Sequence, residues 1–178
     1  AISSTENLTT LDKTLLLSLL TGVSLAVYWK IIARFGDPST ALTADPQRLK
    51  DLLPKTAYHE YLSFRRLEQS SEIAERVSWV QEFCRQHQIH VIHRQHPDYP
   101  ELLGQLAKAS PILYVKGEVN CLHLPQIAVV GSRRPSPTGK QNALAFAKYL
   151  AACGFVVTSG LAQGVDAAAH QGAIAGAG

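Results

Sequence analysis

The run from Ile127 to Lys140, IAVVGSRRPSPTGK, constrains the fold more than any other stretch of the chain. Ile127 to Val130 is a short continuous apolar segment ended by Gly131, the pattern of a strand covered on both faces. Ser136 followed by Pro137 supplies a helix N-cap with proline at the first helical position. Ala143, Phe146, Ala147 and Leu150 then mark one buried helix face, Gly154 ends the helix, and Phe155 to Thr158 forms the next strand. Strand, helix and strand in this order make a βαβ unit, so the C-terminal half is α/β with a parallel sheet. A last helix from Asp166 onward ends in the small-residue tail Ala173–Gly178, where a further strand is expected. Two or three parallel strands with an open edge are an incomplete doubly wound sheet, and the chain reads as part of a longer protein.

The N-terminal half has a different period. Leu11, Leu15, Leu16 and Leu19 recur at helical spacing, and Thr21 to Ser24 makes a tight turn. Leu25 to Phe35 is a second helix, closed by Gly36 as a left-handed cap. Ser39 to Leu42 forms one turn, and Asp45-Pro46 opens a helix through Leu53 that Pro54 ends. Tyr58–Arg66 and Glu72–His87 complete a set of about five helices. Beyond them, His90–His93 and Ile112–Val115 read as strands and Glu101–Ala107 as a short helix. The expected division is a helical domain over 1–75 and an α/β domain over 76–178.

The totals exclude several classes. At 178 residues, 46% apolar and 17% charged, the chain can bury a real core and is far from the disordered range. Cys84, Cys121 and Cys153 are scattered and form no CxxC pair, which argues against a disulfide framework or a zinc site and fits a reducing cytoplasm. The apolar run Thr14–Trp29 is short for a membrane span and is broken by Thr21, Gly22 and Ser24, while Glu6 and Asp12 precede it where a signal peptide carries positive charge. No membrane partner is expected. Residues 1–75 carry 8 Lys/Arg against 9 Asp/Glu, whereas 76–178 carry 9 against 5. No acid occurs between Glu118 and Asp166, an interval holding Arg133, Arg134, Lys140 and Lys148. Such a surface favours a polyanion.

Glycine at a strand's end points to a phosphate. Gly131 lets backbone approach a ligand, Ser132 offers a hydroxyl and an N–H, and Arg133 can pair bidentately with a phosphate. The next strand ends in a similar loop, Thr158-Ser-Gly-Leu-Ala-Gln-Gly-Val-Asp166, with Ser159, Gly160 and Gly164, and the two loops can converge on one pocket. Nucleotide cofactors fit poorly. Seven residues separate Gly131 from Gly139, and Gln141 follows Lys140, so the Walker A pattern fails. Ser132-Arg133 stands where a GxGxxG motif needs its second glycine, and no cofactor is expected. Asp166 and His170 lie four apart beside Ser159, a spacing open to acid–base chemistry, but the favoured reading is that Asp166 caps the helix and His170 hydrogen-bonds across the loops. His87, His90, His93 and His96 alternate around a strand and cannot converge on one metal.

These pieces together resemble the DNA-processing protein family, DprA or Smf. The resemblance rests on Tyr99-Pro100 with Leu102, on Pro111-Ile-Leu-Tyr-Val-Lys-Gly117, on Ile127–Arg133, on Thr158–Asp166 and on Ala169-His-Gln-Gly-Ala173, in that order. The helical half is similar to the family's N-terminal domain, related to SAM and helix-hairpin-helix modules. The resemblance implies a Rossmann-like domain that binds single-stranded DNA and passes it to the RecA recombinase during natural transformation, in the cytoplasm, with no catalytic residue, cofactor or metal. It carries the DNA-pocket role to Gly131, Ser132 and Arg133, and more loosely to Ser159, Gly160 and Gly164. It reads Asp166 and His170 as loop organisers, and it places a homodimer surface beyond Gly178.

The physical reading adds Arg134 and Lys140 as further grips on a regularly spaced phosphate backbone, with little sequence preference. Phe146 is assigned to the core, leaving Tyr99 and Tyr114 as base-stacking candidates. In the turn Leu20–Ser24 only Gly22 matches a helix-hairpin-helix grip, and a packing or protein-contact role is favoured there. Two other classes compete with the DNA binder. One is a nucleotide phosphoribohydrolase of the lysine-decarboxylase-like group, whose PGGxGTxxE signature is absent from these residues. The other is an interaction module formed by the helical half, with the sheet as scaffold.

Overall fold

The computed structural model describes residues 8–67 and 70–176. Glu6, ahead of the long apolar run, and the last two residues of the tail, 177 and 178, lie outside them. The chain forms two compact units, one ending at Val119 and one starting at Asn120.

The first unit contains the expected helices. α1 (Thr10–Leu19) starts at a reciprocal cap: Thr9 Oγ1 accepts from the Asp12 N–H at 3.1 Å, and Asp12 accepts from the Thr9 N–H at 2.9 Å. α2 (Leu25–Phe35) ends at Gly36, whose N–H donates to the Ile32 carbonyl at 2.7 Å and whose φ of +87° turns the chain out of the helix. α3 (Pro38–Thr43), α4 (Lys55–Leu67) and α5 (Glu72–Gln86) follow. The helix expected from Asp45 to Leu53 is replaced by a single 3-10 turn, Pro46–Arg48, and a run of tight turns. The Asp45 carboxylate accepts from Gln47 N–H, two residues on, which pulls the backbone into i→i+3 bonding. The result buries both Leu49 and Leu53.

Leu15, Leu16, Ile31, Leu42, Tyr61 and Phe64 are at most 1% exposed and form the centre of this core. Tyr61 keeps its hydroxyl satisfied by donating to the Leu42 carbonyl at 2.9 Å. β1 (Ile89–His93) and β2 (Ile112–Lys116) belong to the same unit, with α6 (Glu101–Gly104) between them. They pair antiparallel, Ile89 opposite Lys116 and His93 opposite Ile112, and are separate from the parallel sheet of the second unit. The reason is packing: Ile112 is 6% exposed within the helical core, Val91 packs against that core, and Trp29 on α2 donates to the Ala109 carbonyl at 2.9 Å. The contact boundary therefore falls well past the composition change near residue 75.

The second unit is the βαβ arrangement. β3 (Gln126–Ala128) pairs parallel with β4 (Val156–Thr158), and α7 (Pro137–Ala152) connects them. α8 (Val165–Gly176) packs on α7. Small residues make that seam. A Cβ at Gly172 would overlap the Leu144 carbonyl oxygen, and one at Gly176 would overlap that of Lys148. Helices this close leave no room for a large side chain between them, so Ala143 and Ala147 are buried while Phe146 is 66% exposed. Phe146 is thus a surface residue, contrary to its expected place in the core. The strand is also less covered than its apolar run suggests. Ile127 is half-buried and Ala128 and Val130 are exposed, because among the described residues this sheet has two strands.

Candidate nucleic-acid interface

Two loops leave the carboxyl ends of the parallel strands. The first runs from Val129 to Ser136, where the N-cap Ser136 accepts from the Gly139 N–H at 3.1 Å and starts α7. The second runs from Ser159 to Gly164 and enters α8. They are fastened to each other by hydrogen bonds to backbone carbonyls. Val165 N–H donates to the Ser132 carbonyl at 3.1 Å, and the Ser159 hydroxyl donates to the Val129 carbonyl at 2.7 Å. The two loops adjoin and are held together by these bonds.

The glycines serve this fastening. A Cβ at Gly131 would meet Val165 Cγ2 at 2.8 Å. At Gly164, where φ is +88°, it would meet the Arg133 carbonyl carbon and oxygen at 2.7 Å and overlap the Ser132 oxygen. At Gly160 it would lie 3.0 Å from Asp166 Oδ2. The absent side chains make room for the opposite loop and for Asp166, so these glycines act first in packing the loops, where the sequence suggests direct approach to a ligand.

Asp166 organises the second loop. It is 8% exposed, and its Oδ2 accepts the N–H groups of Gly160 at 3.1 Å and Ala162 at 3.4 Å. Its charge is turned inward and spent on backbone donors. His170, one helical turn further on α8, does not make the expected bond across the loops: its Nε2 is buried and has no hydrogen-bond partner. Leu161 holds a φ of +57° and is 83% exposed at the tip of the second loop, a strained position that no motif foretold.

The cations remain outside this frame. Arg133, Arg134 and Lys140 are exposed, and among the described residues none has a carboxylate partner. Ser132 sets the direction of the chain here, its Oγ accepting the Arg134 N–H at 3.0 Å. From Asn120 onward the chain holds four Lys/Arg and one acid, the buried Asp166. The outward field of this unit is therefore positive. Of the stacking candidates, Tyr99 is 7% exposed with its hydroxyl donating to the Ser110 carbonyl, which removes it from consideration, and Tyr114 is half-exposed. Among the described residues no group of His, Cys, Asp or Glu is placed to hold a metal ion, and no helix is long and apolar enough to cross a membrane.

Comparison with known proteins gives this geometry a family. Protein Smf of Escherichia coli (strain K12) is 40% identical over 85 residues, which are 48% of this chain and 23% of that protein. DNA processing protein DprA of Streptococcus pneumoniae (strain ATCC BAA-255 / R6) is 40% identical over 78 residues, 43% of this chain and 27% of that one. The DprA of Bacillus subtilis (strain 168) is 32% identical over 91 residues, 51% of this chain and 31% of its own length. Each match thus spans less than a third of the relative. The X-ray structure of DNA processing protein A from Streptococcus pneumoniae shares the fold, with a TM-score of 0.60 at 21% identity over all of this chain and 56% of that one. The profile of the family described as DNA recombination-mediator protein A matches residues 90–178, the half of the chain that contains both loops. The protein belongs to the DNA recombination-mediator protein A family.

Proposed function

We propose that this chain binds single-stranded DNA by its phosphates, through the surface formed by Gly131, Ser132, Arg133, Arg134, Lys140, Ser159, Gly160 and Gly164. The supporting observation is a pair of interlocked loops that present unpaired arginines from a unit whose one acid is buried. Gly131, Gly160, Gly164 and Ser159 hold the loops in register. Arg133 and Arg134 then meet the backbone from a fixed frame, and Lys140 on the first turn of α7 adds a point charge. Nothing in this arrangement reads a base edge, so the binding tolerates any sequence. We assign the chain a mediator role without a catalytic step, in the cytoplasm, with the bound strand passed to a RecA recombinase. In this reading residues 76–178 carry the DNA contacts, and residues 1–75 serve packing or protein contact.

The test is a titration with oligo-dT at several salt concentrations. Arg133→Ala should weaken binding by about 1–2 kcal/mol, roughly five- to thirtyfold. It should also flatten the slope of log affinity against log salt by about 0.7, the share of one phosphate contact on a single strand. A wild-type chain that ignores oligo-dT and hydrolyses nucleoside monophosphates would establish the phosphoribohydrolase reading instead.

A further inference from the structure

We infer that Leu161, at the tip of the second loop, is an apolar contact for the bases of the bound strand and makes the surface select single-stranded over duplex DNA. This inference rests on the DNA-binding reading above and adds a base contact to loops that otherwise offer only cations to phosphates. Leu161 has a φ of +57° and is 83% exposed. A residue with a Cβ occupies that left-handed region at a cost, and glycine and asparagine are its usual occupants. A single exposed leucine is ordinary on a protein surface. One held outward on strained backbone is not, because strain persists only where the surrounding structure enforces it.

The enforcement comes from Asp166 and from the first loop. Asp166 Oδ2 accepts the N–H groups of Gly160 at 3.1 Å and Ala162 at 3.4 Å, the residues on either side of Leu161. Both ends of the second loop are fastened to the first, by the Ser159 hydroxyl to the Val129 carbonyl and by Val165 N–H to the Ser132 carbonyl. Leu161 thus stands on a braced loop and loses little freedom when a ligand covers it. Between those two anchors on the first loop, Val130 is 73% exposed, a second apolar side chain at the ends of the strands.

Charge decides the occupant. The anchor at Ser132 leads directly into Arg133 and Arg134, which are exposed and have no carboxylate partner among the described residues. The one acid of this unit, Asp166, is buried and already accepts two N–H groups. Apolar side chains beside unpaired cations suit a ligand with apolar faces on an anionic chain. An unpaired DNA strand presents such a face at every nucleotide, and leucine is among the side chains that enter base steps. In a duplex the bases cover one another's faces, so the loops meet phosphates alone.

The test titrates the whole chain with oligo-dT, with an abasic oligonucleotide of equal phosphate number and with a duplex. Leu161→Asn should bind oligo-dT about three- to twentyfold more weakly than wild type. Its slope of log affinity against log salt should stay at the wild-type value, because no phosphate contact is lost. Its affinities for the abasic oligonucleotide and the duplex should equal those of the wild type. Leu161→Met, which keeps an unbranched apolar side chain, should restore oligo-dT binding. Asparagine tolerates the left-handed backbone, so the melting midpoint of Leu161→Asn should equal or exceed that of wild type. Ile174→Asn, at a position 74% exposed near the other end of α8, should change none of these values. If Leu161→Asn binds oligo-dT normally, or weakens all three ligands equally, Leu161 is a protein contact or a loop-shaping residue and the inference is overturned. In that case Arg133→Ala, with its flattened salt slope, still reports independently on the phosphate contacts. A wild type that fails to bind oligo-dT at all overturns both.

Discussion

Gly164→Ala should unlock the two loops and remove most DNA binding. The added Cβ has no escape: it would meet the Arg133 carbonyl group at 2.7 Å and overlap the Ser132 oxygen, both backbone atoms. Backbone cannot rotate aside as a side-chain tip can, and φ of +88° is itself strained for alanine. To relieve the clash the loops must part, which breaks the bond from Val165 N–H to the Ser132 carbonyl. The expected cost is about 2–5 kcal/mol, combining overpacking with backbone strain. It should show as a lower denaturation midpoint for the second unit alone, with the helical unit unchanged. Oligo-dT affinity should fall further than in Arg133→Ala, because every cation of the first loop shifts together. Gly139→Ala is the matched control. Its Cβ meets the Ser136 hydroxyl at 3.3 Å, and it lies within α7 at an ordinary φ, so a small effect is expected.

The second large effect is expected at Glu60, in the first unit. Its carboxylate accepts from Thr21 N–H at 2.8 Å, from the Thr21 hydroxyl at 2.7 Å and from Arg76 at 3.1 Å, and its side chain is 12% exposed. Arg76 also donates to the Leu19 carbonyl at 2.8 Å. The turn between α1 and α2, which resembles a phosphate-gripping hairpin, thus spends its Thr21 N–H on an internal carboxylate. That geometry supports packing as the role of the turn. Glu60→Ala leaves a half-buried guanidinium and an N–H without their acceptor and should cost about 2–4 kcal/mol.

The same carboxylate makes stability depend on pH. Burial pushes the Glu60 carboxyl up, but the bonds from Thr21 and Arg76 outweigh it and leave its pKa below the ordinary glutamate value. A group whose folded pKa is depressed contributes fully above its unfolded pKa, about 4.3, and loses that contribution as pH falls through the folded value. Urea midpoints measured from pH 6 down to pH 3 should therefore fall in the wild type. Glu60→Gln should start lower and fall less steeply. Equal slopes for the two proteins would remove Glu60 as the source.

Much of this was legible in the residues. The start of α7 was marked by Ser136-Pro137, and Ser136 caps that helix by accepting a backbone N–H, as Ser24, Asp37 and Ser71 do at theirs. The order of strand, glycine loop, helix and strand pointed to the parallel pair, and the motif series from Tyr99 to Ala173 pointed to the family. Asp45-Pro46 misled because an aspartate can turn the chain at the second residue as readily as it caps at the third. Phe146 misled because its spacing fits a buried stripe, and spacing does not register how closely a neighbouring helix approaches.

Which local structures form is written in the residues, since caps, prolines and apolar period act over a few residues and need no partner. The cationic character of the C-terminal unit is written there too, because charge is additive along a chain. What the glycines are for depends on contacts made in the folded chain. Gly131 and Gly164 are required by Val165 and by the Ser132–Arg133 backbone, neighbours brought by the crossover. Such contacts also join β1 and β2 to the helical unit, through Ile112 and Val91 in its core. Contacts between residues far apart in the chain carry no local signature, so the loop lock and the split after Val119 became visible only when those contacts were made.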